Sequence, residues 1–119
     1  MSLSVLIVDD HRSYARSLAL ALTGFGYHAE FACNAEQAYN HVVERHYDVL
    51  IIDYDMPEIK GDSLALKLDE IQSIDLIILI SGHQLKDLYH YIPFKLIMSK
   101  PLDLNILEDK LIKWQADQQ

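Results

Sequence analysis

The tightest constraint on this chain is the run Val49-Leu50-Ile51-Ile52, which meets Asp53 with no turn residue between and continues into Tyr54, Asp55, Met56 and Pro57. An unbroken apolar run with polar residues on either side predicts a strand covered on both faces, the kind found in the middle of a parallel sheet. Pro57 has no N–H to give to a ladder, so the strand ends by about Asp55. Asp53 then sits near the carboxyl end of a central strand, the edge where open α/β sheets bind their ligands. Taken alone, the same acid would equally serve to start a turn or cap a helix.

The segments around this strand alternate in type. Leu3 to Val8 is a short apolar run ending in Asp9-Asp10, a first buried strand. From His11 to Leu22, Tyr14, Ala15, Leu18, Ala21 and Leu22 recur at helical spacing, with Gly24 and Gly26 marking the end. Tyr27 to Ala32 fits a second strand nearer the sheet edge. Asn34 with Gln37 is a variant capping box, opening a helix to about Arg45 whose apolar side is Ala35, Ala38, Tyr39, Val42 and Val43. After the central strand, Asp62 is the expected N-cap of a helix from Ser63 to Glu70. Asp75 to Ile80 is another buried strand, delivering Ser81-Gly82. Gln84 to Tyr91 reads as a short helix ended by Pro93. Lys95 to Ser99 is a last strand carrying Lys100-Pro101, and Asp103 caps a final helix to about Ala116. Strands alternating with helices in this way imply a parallel sheet with helices on both faces.

Composition narrows the function classes. With 18 acids against 10 Lys and Arg, the net charge is −8. Binding to phosphate backbones depends on neutralising them with cations, so this balance disfavours nucleic acid and anionic membrane as partners. Cys33 is the only cysteine, which rules out an internal disulfide and points to the cytoplasm. No apolar run approaches the roughly 20 residues of a membrane-spanning helix, and no signal peptide is visible.

Four predicted strands end in chemically pointed residues: Asp9-Asp10, Asp53-Tyr54-Asp55, Ser81-Gly82 and Lys100-Pro101. In a parallel sheet these ends share one edge, so residues far apart in sequence gather in one crevice. Each has a plain structural explanation by itself, because acids and serines cap helices and lysines are usually solvated. Together they strain that account. Carboxylates within a few ångströms repel one another, and keeping them ionised calls for a cation. An all-oxygen donor set suits Mg²⁺, which favours one or two carboxylates plus a phosphate.

As a set, these residues resemble the receiver domains of two-component response regulators. The acid pair, the aspartate closing the third strand, Gly61, the hydroxyl ending the fourth strand and the Lys100-Pro101 pair all match over essentially the whole chain, with matching spacing from Asp10 to Asp53 and from Asp53 to Ser81. The resemblance implies one receiver domain over residues 1–119: five parallel strands in order 2-1-3-4-5 with helices on both faces. It implies that Asp53 accepts a phosphoryl group from a phosphohistidine on a histidine kinase or histidine phosphotransfer domain. Asp10 would hold Mg²⁺ (or Mn²⁺) directly, Asp9 mostly through water, Asp53 by its carboxylate and Asp55 by its backbone carbonyl. Lys100 would pair with Asp53 and then with the phosphoryl group, and Ser81 would donate to a phosphoryl oxygen. His83 and Asp55 would tune the phosphoryl lifetime, and the Lys100–Pro101 bond would be cis.

The chain also departs from the family pattern. Ile97 stands where a Tyr or Phe usually reports the position of the hydroxyl, and Tyr91 and Phe94 are out of register. The stretch between Ser81 and Lys100 is a few residues short. These departures predict that the common output face is altered and that the signal leaves by a different surface, such as the first helix. Lys60 replaces a frequent acid, and His11 reads as a solvated helix-start histidine. Two rivals remain. One is a degenerate receiver acting as a docking module. The other is a haloacid-dehalogenase-type phosphatase using Asp53-Tyr54-Asp55, against which stand the late position of that motif and the lack of room for a cap domain. A flavodoxin-like cofactor site is disfavoured, because no phosphate loop follows the first strand.

Overall fold

The computed structural model describes residues 2–82 and 96–118. The predicted helix at Gln84 to Tyr91, together with His83, Pro93 and Phe94, lies outside the described residues. Five strands, β1 (Ser4–Val8), β2 (His28–Ala32), β3 (Val49–Asp53), β4 (Leu76–Ser81) and β5 (Leu96–Ser99), form one sheet in the order β2-β1-β3-β4-β5. Every neighbouring pair is parallel. Four helices are described: α1 (Arg12–Gly24), α2 (Ala35–Glu44), α3 (Gly61–Ile71) and α4 (Leu104–Asp117).

Alternation along the strands divides the core into two layers. Val5, Ile7, Val49, Ile51, Leu76 and Ile78 pack with Ala15, Leu18 and Leu22 of α1 and Leu107 and Leu111 of α4. Leu6, Val8, Leu50, Ile52, Ile77 and Leu79 pack with Ala38 and Val42 of α2 and Leu64, Ala65 and Leu68 of α3. The run from Val49 to Ile52 is thus covered on both sides, as its unbroken apolar character predicts. Burying each such side chain stabilises the fold by about 1.5–3 kcal/mol, which anchors β3 as the sheet's centre.

Helix ends follow local chemistry where the sequence signals are strong. Asn34 accepts a hydrogen bond from the Gln37 N–H at 2.8 Å, and the Gln37 side chain accepts from the Cys33 N–H, also at 2.8 Å. Asp103 accepts from the N–H groups of Asn105 and Ile106. At the end of α1, Gly26 takes a φ of 103°, where a residue with a side chain is disfavoured. Its N–H bonds the Thr23 carbonyl while the Tyr27 N–H bonds that of Leu22, the paired closure typical of a glycine-terminated helix.

Three expectations need correction. Asp62 is not the cap of α3: the helix starts at Gly61, and Lys60 holds the cap position with no side-chain hydrogen bond. Asp62 lies instead in the first turn, where the helix dipole favours a negative charge. On α1, Ala19 rather than Ala21 completes the buried face, and Tyr14 is 39% exposed. On α2, Val43 points to solvent: Ala38 and Val42 are its buried residues, with Ala35 and Tyr39 packed beside them.

Candidate functional site

The carboxyl ends of β1, β3, β4 and β5 bring Asp9, Asp10, Asp53, Ser81 and Lys100 to one edge. Asp53 is the last residue of β3 and is almost fully buried, paired in register with Ile80 of β4. Ser81, also buried, follows Ile80, and its carbonyl accepts from the Lys100 N–H at 2.9 Å. The Lys100–Pro101 peptide bond is cis. The Lys100 side chain reaches back so that its Nζ lies 2.8 Å from Asp53 Oδ1.

Gly61 explains itself through this geometry. A Cβ there would collide with the Asp53 carbonyl oxygen and lie 2.8 Å from both the Asp53 carbonyl carbon and the Tyr54 Cα. The Gly61 N–H donates to the Tyr54 carbonyl at 2.9 Å. The β3–α3 loop is thereby folded tightly under the acid that ends β3, and only a residue without a side chain permits it.

Asp53 Oδ1 has a second donor, the Asp55 N–H at 3.2 Å, whereas Oδ2 is buried with no hydrogen-bond partner. Asp10 Oδ1 is likewise buried with no hydrogen-bond partner. A buried oxygen left this way carries a desolvation penalty of about 1–3 kcal/mol or more, which a ligand would relieve. Asp9, Asp10, His11 and Asp53 each offer one ligand atom, all within 4.8 Å of one another. Clustered carboxylate oxygens, two of them unsatisfied, fit a hard divalent cation such as Mg²⁺. The Asp55 side chain does not join this set; its backbone amide belongs to Asp53.

The electrostatics agree. Burial, opposed by the hydrogen bonds from His11 and reinforced by the charge of Asp53, holds the Asp9 carboxyl above its ordinary range. For Lys100, burial works against the charged form, but the hydrogen bond and charge of Asp53, with Asp9 and Asp55 behind, outweigh it and raise its pKa. The ammonium is therefore fixed as a cation among acids. A cleft bordered by Asp10, Asn34, Met56 and Pro57 opens beside the acid pair.

Two residues exceed what sequence reasoning assigned. His11 is exposed, yet its N–H donates to Asp9 Oδ1 at 2.9 Å and its Nδ1 lies 3.2 Å from the same oxygen and 3.5 Å from Asp10 Oδ1. Its position directly after the acid pair was the available signal. The second is Tyr14, which is 39% exposed, lies outside the α1/α4 core and feels the charges of Asp9, Lys100 and Asp53. Ile97, at the usual aromatic position, packs against the α2/α3 layer.

The pattern of the response regulator receiver domain matches residues 5–111. The sensor protein EvgS of Escherichia coli K12 is 33% identical over 112 residues, covering 92% of this chain and 9% of that protein. The response regulator ArlR of Staphylococcus aureus is 31% identical over 75 residues, covering 63% of this chain and 34% of that one. The chain thus spans only a fraction of the length of either relative. A CheY-like receiver domain from Methanospirillum hungatei superposes with a TM-score of 0.88 at 21% identity, covering 99% of this chain and 97% of the other, a likeness of fold. The response regulator TrrA of Thermotoga maritima, solved in complex with Mg²⁺ and BeF, gives 0.80 at 27% identity, covering 95% and 98%. With strand order, acid cluster and lysine already in place, these matches establish that the chain belongs to the response regulator receiver domain family.

Proposed function

We propose that Asp53 is the phosphoryl acceptor of this receiver domain, taking the group from a phosphohistidine on a histidine kinase or histidine phosphotransfer domain. Receiver domains are signalling switches that bind Mg²⁺ at an acidic pocket and pair with such partners. In the transfer, an Asp53 carboxylate oxygen attacks phosphorus, the P–N bond to the imidazole breaks, and the freed imidazole takes a proton from solvent. The product is an acyl phosphate carrying about −1.5 to −2 charge on a side chain that held one.

The chain's own residues prepare this step. Lys100 holds Asp53 at rest and passes to a phosphoryl oxygen afterwards, so its cationic state is kept throughout. Ser81 donates its hydroxyl to a second phosphoryl oxygen. Asp9, Asp10, Asp53 and the Asp55 carbonyl would hold Mg²⁺ (or Mn²⁺). Such a cation, when bound, cancels the repulsion between acceptor and phosphoryl oxygens. Asp55 adds its N–H to Asp53 and, with His83, would tune how long the product survives. Because Ser81 and Lys100 bind the modified state better, phosphorylation biases a two-state equilibrium and switches partner binding. With Ile97 half-buried against the α2/α3 layer and no aromatic in its place, the change leaves through a different surface, such as α1. The lone Cys33 fits a cytoplasmic setting, and among the described residues no helix is long and apolar enough to cross a membrane.

The observation that carries the reading is the 2.8 Å contact of Lys100 with one oxygen of a buried Asp53 whose other oxygen has no partner. Incubation with acetyl phosphate and Mg²⁺, followed by intact mass, tests it. The expected result is one phosphoryl group per chain, dependent on Mg²⁺ and lost in Asp53→Ala. Absence of label would leave a docking module, and steady turnover of phosphate esters would favour the phosphatase.

A further inference from the structure

Tyr14 is used by nothing in the scheme above. It lies outside the α1/α4 core, whose α1 members are Ala15, Leu18, Ala19 and Leu22. At about 100° per residue, those four centre the buried face, and Tyr14 falls on one flank of it. On the other flank, Arg12 stands over the Phe31 ring of β2 at 5.7 Å. Since the sheet runs β2-β1-β3-β4-β5, the flank turned from β2 looks toward β3 and the strands beyond it.

Height and face agree with this direction. Tyr14 is in the first turn of α1, and the Cα–Cβ bonds of a helix tilt toward its N-terminus, here toward Asp9 and Asp10. Asp53 continues the alternation of Val49 and Ile51, which pack in the α1/α4 layer, so its carboxyl leaves the sheet on the side of α1. Lys100 likewise continues the alternation of Leu96 and Met98. The phenol lies accordingly in the combined field of Asp9, Lys100 and Asp53, and burial foremost keeps it protonated.

From this juxtaposition we propose that Tyr14 forms the α1-side wall of the acceptor site and sets how long a phosphoryl group survives on Asp53. The inference rests on the reading of Asp53 as acceptor. In the loss of that group, a water oxygen attacks phosphorus and the P–O bond to Asp53 breaks. The carboxylate regains its electron pair, and inorganic phosphate departs with both of the water's hydrogens. A ring on one flank narrows the approach open to that water. A small side chain reopens it. The ring does this work, so the hydroxyl is dispensable, and Tyr14 acts as a positioning residue.

The test labels the chain with acetyl phosphate and Mg²⁺, removes the donor by desalting, and follows decay of the acyl phosphate by intact mass. Tyr14→Ala should decay roughly fivefold faster, the equivalent of about 1 kcal/mol in the barrier. Tyr14→Phe should restore the parent lifetime to within about twofold, and Tyr14→Gln should fall between. Parent-like decay of Tyr14→Ala, or decay of Tyr14→Phe as fast as Tyr14→Ala, would overturn the proposal. If Tyr14→Ala folds poorly, Tyr14→Gln, suited to a half-exposed position, decides in its place. A residue that merely supported the fold would move the melting midpoint and leave the lifetime alone. A parent chain that takes no label would instead sink the acceptor reading, an outcome distinct from a labelled parent indifferent to Tyr14.

Discussion

At the amino end of β3, Tyr47 is buried and fully engaged. Its hydroxyl donates to Glu30 at 2.7 Å and lies 3.0 Å from His41 Nδ1, while Arg45 bonds the other Glu30 oxygen at 3.0 Å. Gln72 accepts from the Tyr47 N–H and donates to the carbonyls of Val42 and Arg45. At the carboxyl end of the same strand, Asp53 is buried with one oxygen satisfied and one orphaned, beside acids that repel it. One strand therefore ends in two opposite solutions to polar burial. The paired end ties α2, α3 and β2 together. The other end, where Lys100 holds only one Asp53 oxygen, leaves the second unsatisfied in a cluster of acids, the place proposed above for a cation and a phosphoryl group, and that contrast separates the two ends of the strand.

The sharpest way to break the contrast is Gly61→Ala. The added methyl must push into the Asp53 backbone, so the variant should lose roughly 1–3 kcal/mol on chemical denaturation and most of its phosphoryl uptake. Parent-like stability and uptake would show that the loop under Asp53 yields freely.

Tyr47→Phe probes the satisfied end, with a middling effect. Burial first, then the hydrogen bond and charge of Glu30, raise the Tyr47 pKa above its ordinary value. A raised folded pKa contributes stability that is whole below the unfolded value, about 10, and is lost as pH climbs past it. The phenylalanine variant should be less stable at pH 7 by roughly 0.5–1.5 kcal/mol. It should also lose less stability than the parent between pH 10 and 12, as read by denaturant titration. Phosphoryl uptake should not change.

Asp9→Asn gives the smallest and most telling shift, because its sign is reversed. The raised Asp9 pKa means that its contribution is present below its unfolded value and lost as pH rises through the folded one. At pH 7 without divalent ions the variant should therefore melt slightly above the parent. With Mg²⁺ the parent should gain more, since a ligand that binds only the folded state stabilises it by mass action. A variant that melts lower in both conditions would place Asp9 with the satisfied groups.

Much of this could be read without coordinates, because it depends on neighbours in sequence. The apolar runs at Val5 to Val8, Val49 to Ile52 and Leu76 to Ile80 specify strands by their own composition, and Asn34 and Asp103 cap helices with bonds spanning two or three residues. The acids and the lysine at the strand ends follow once parallel strands share an edge. What stayed hidden depends on which partner a surface meets. Helical spacing alone could not say whether Tyr14 or Ala19 turns to the sheet, nor that Val43 turns away, since a stripe of apolar residues is wider than the contact it makes.

Gly61 shows the same division in a single residue. Its place in the motif was legible, but its physical reason, a backbone brought against Asp53, exists only when β3 and α3 are packed. The burial that orphans Asp53 Oδ2 and raises the Asp9 pKa is tertiary in the same way, as is the Asp53 contact that raises the Lys100 pKa against burial. Local chemistry therefore determined the elements and the cast of the site. The distances between those residues and their desolvation came from long-range packing, because a charge responds to everything around it and not only to its neighbours along the chain.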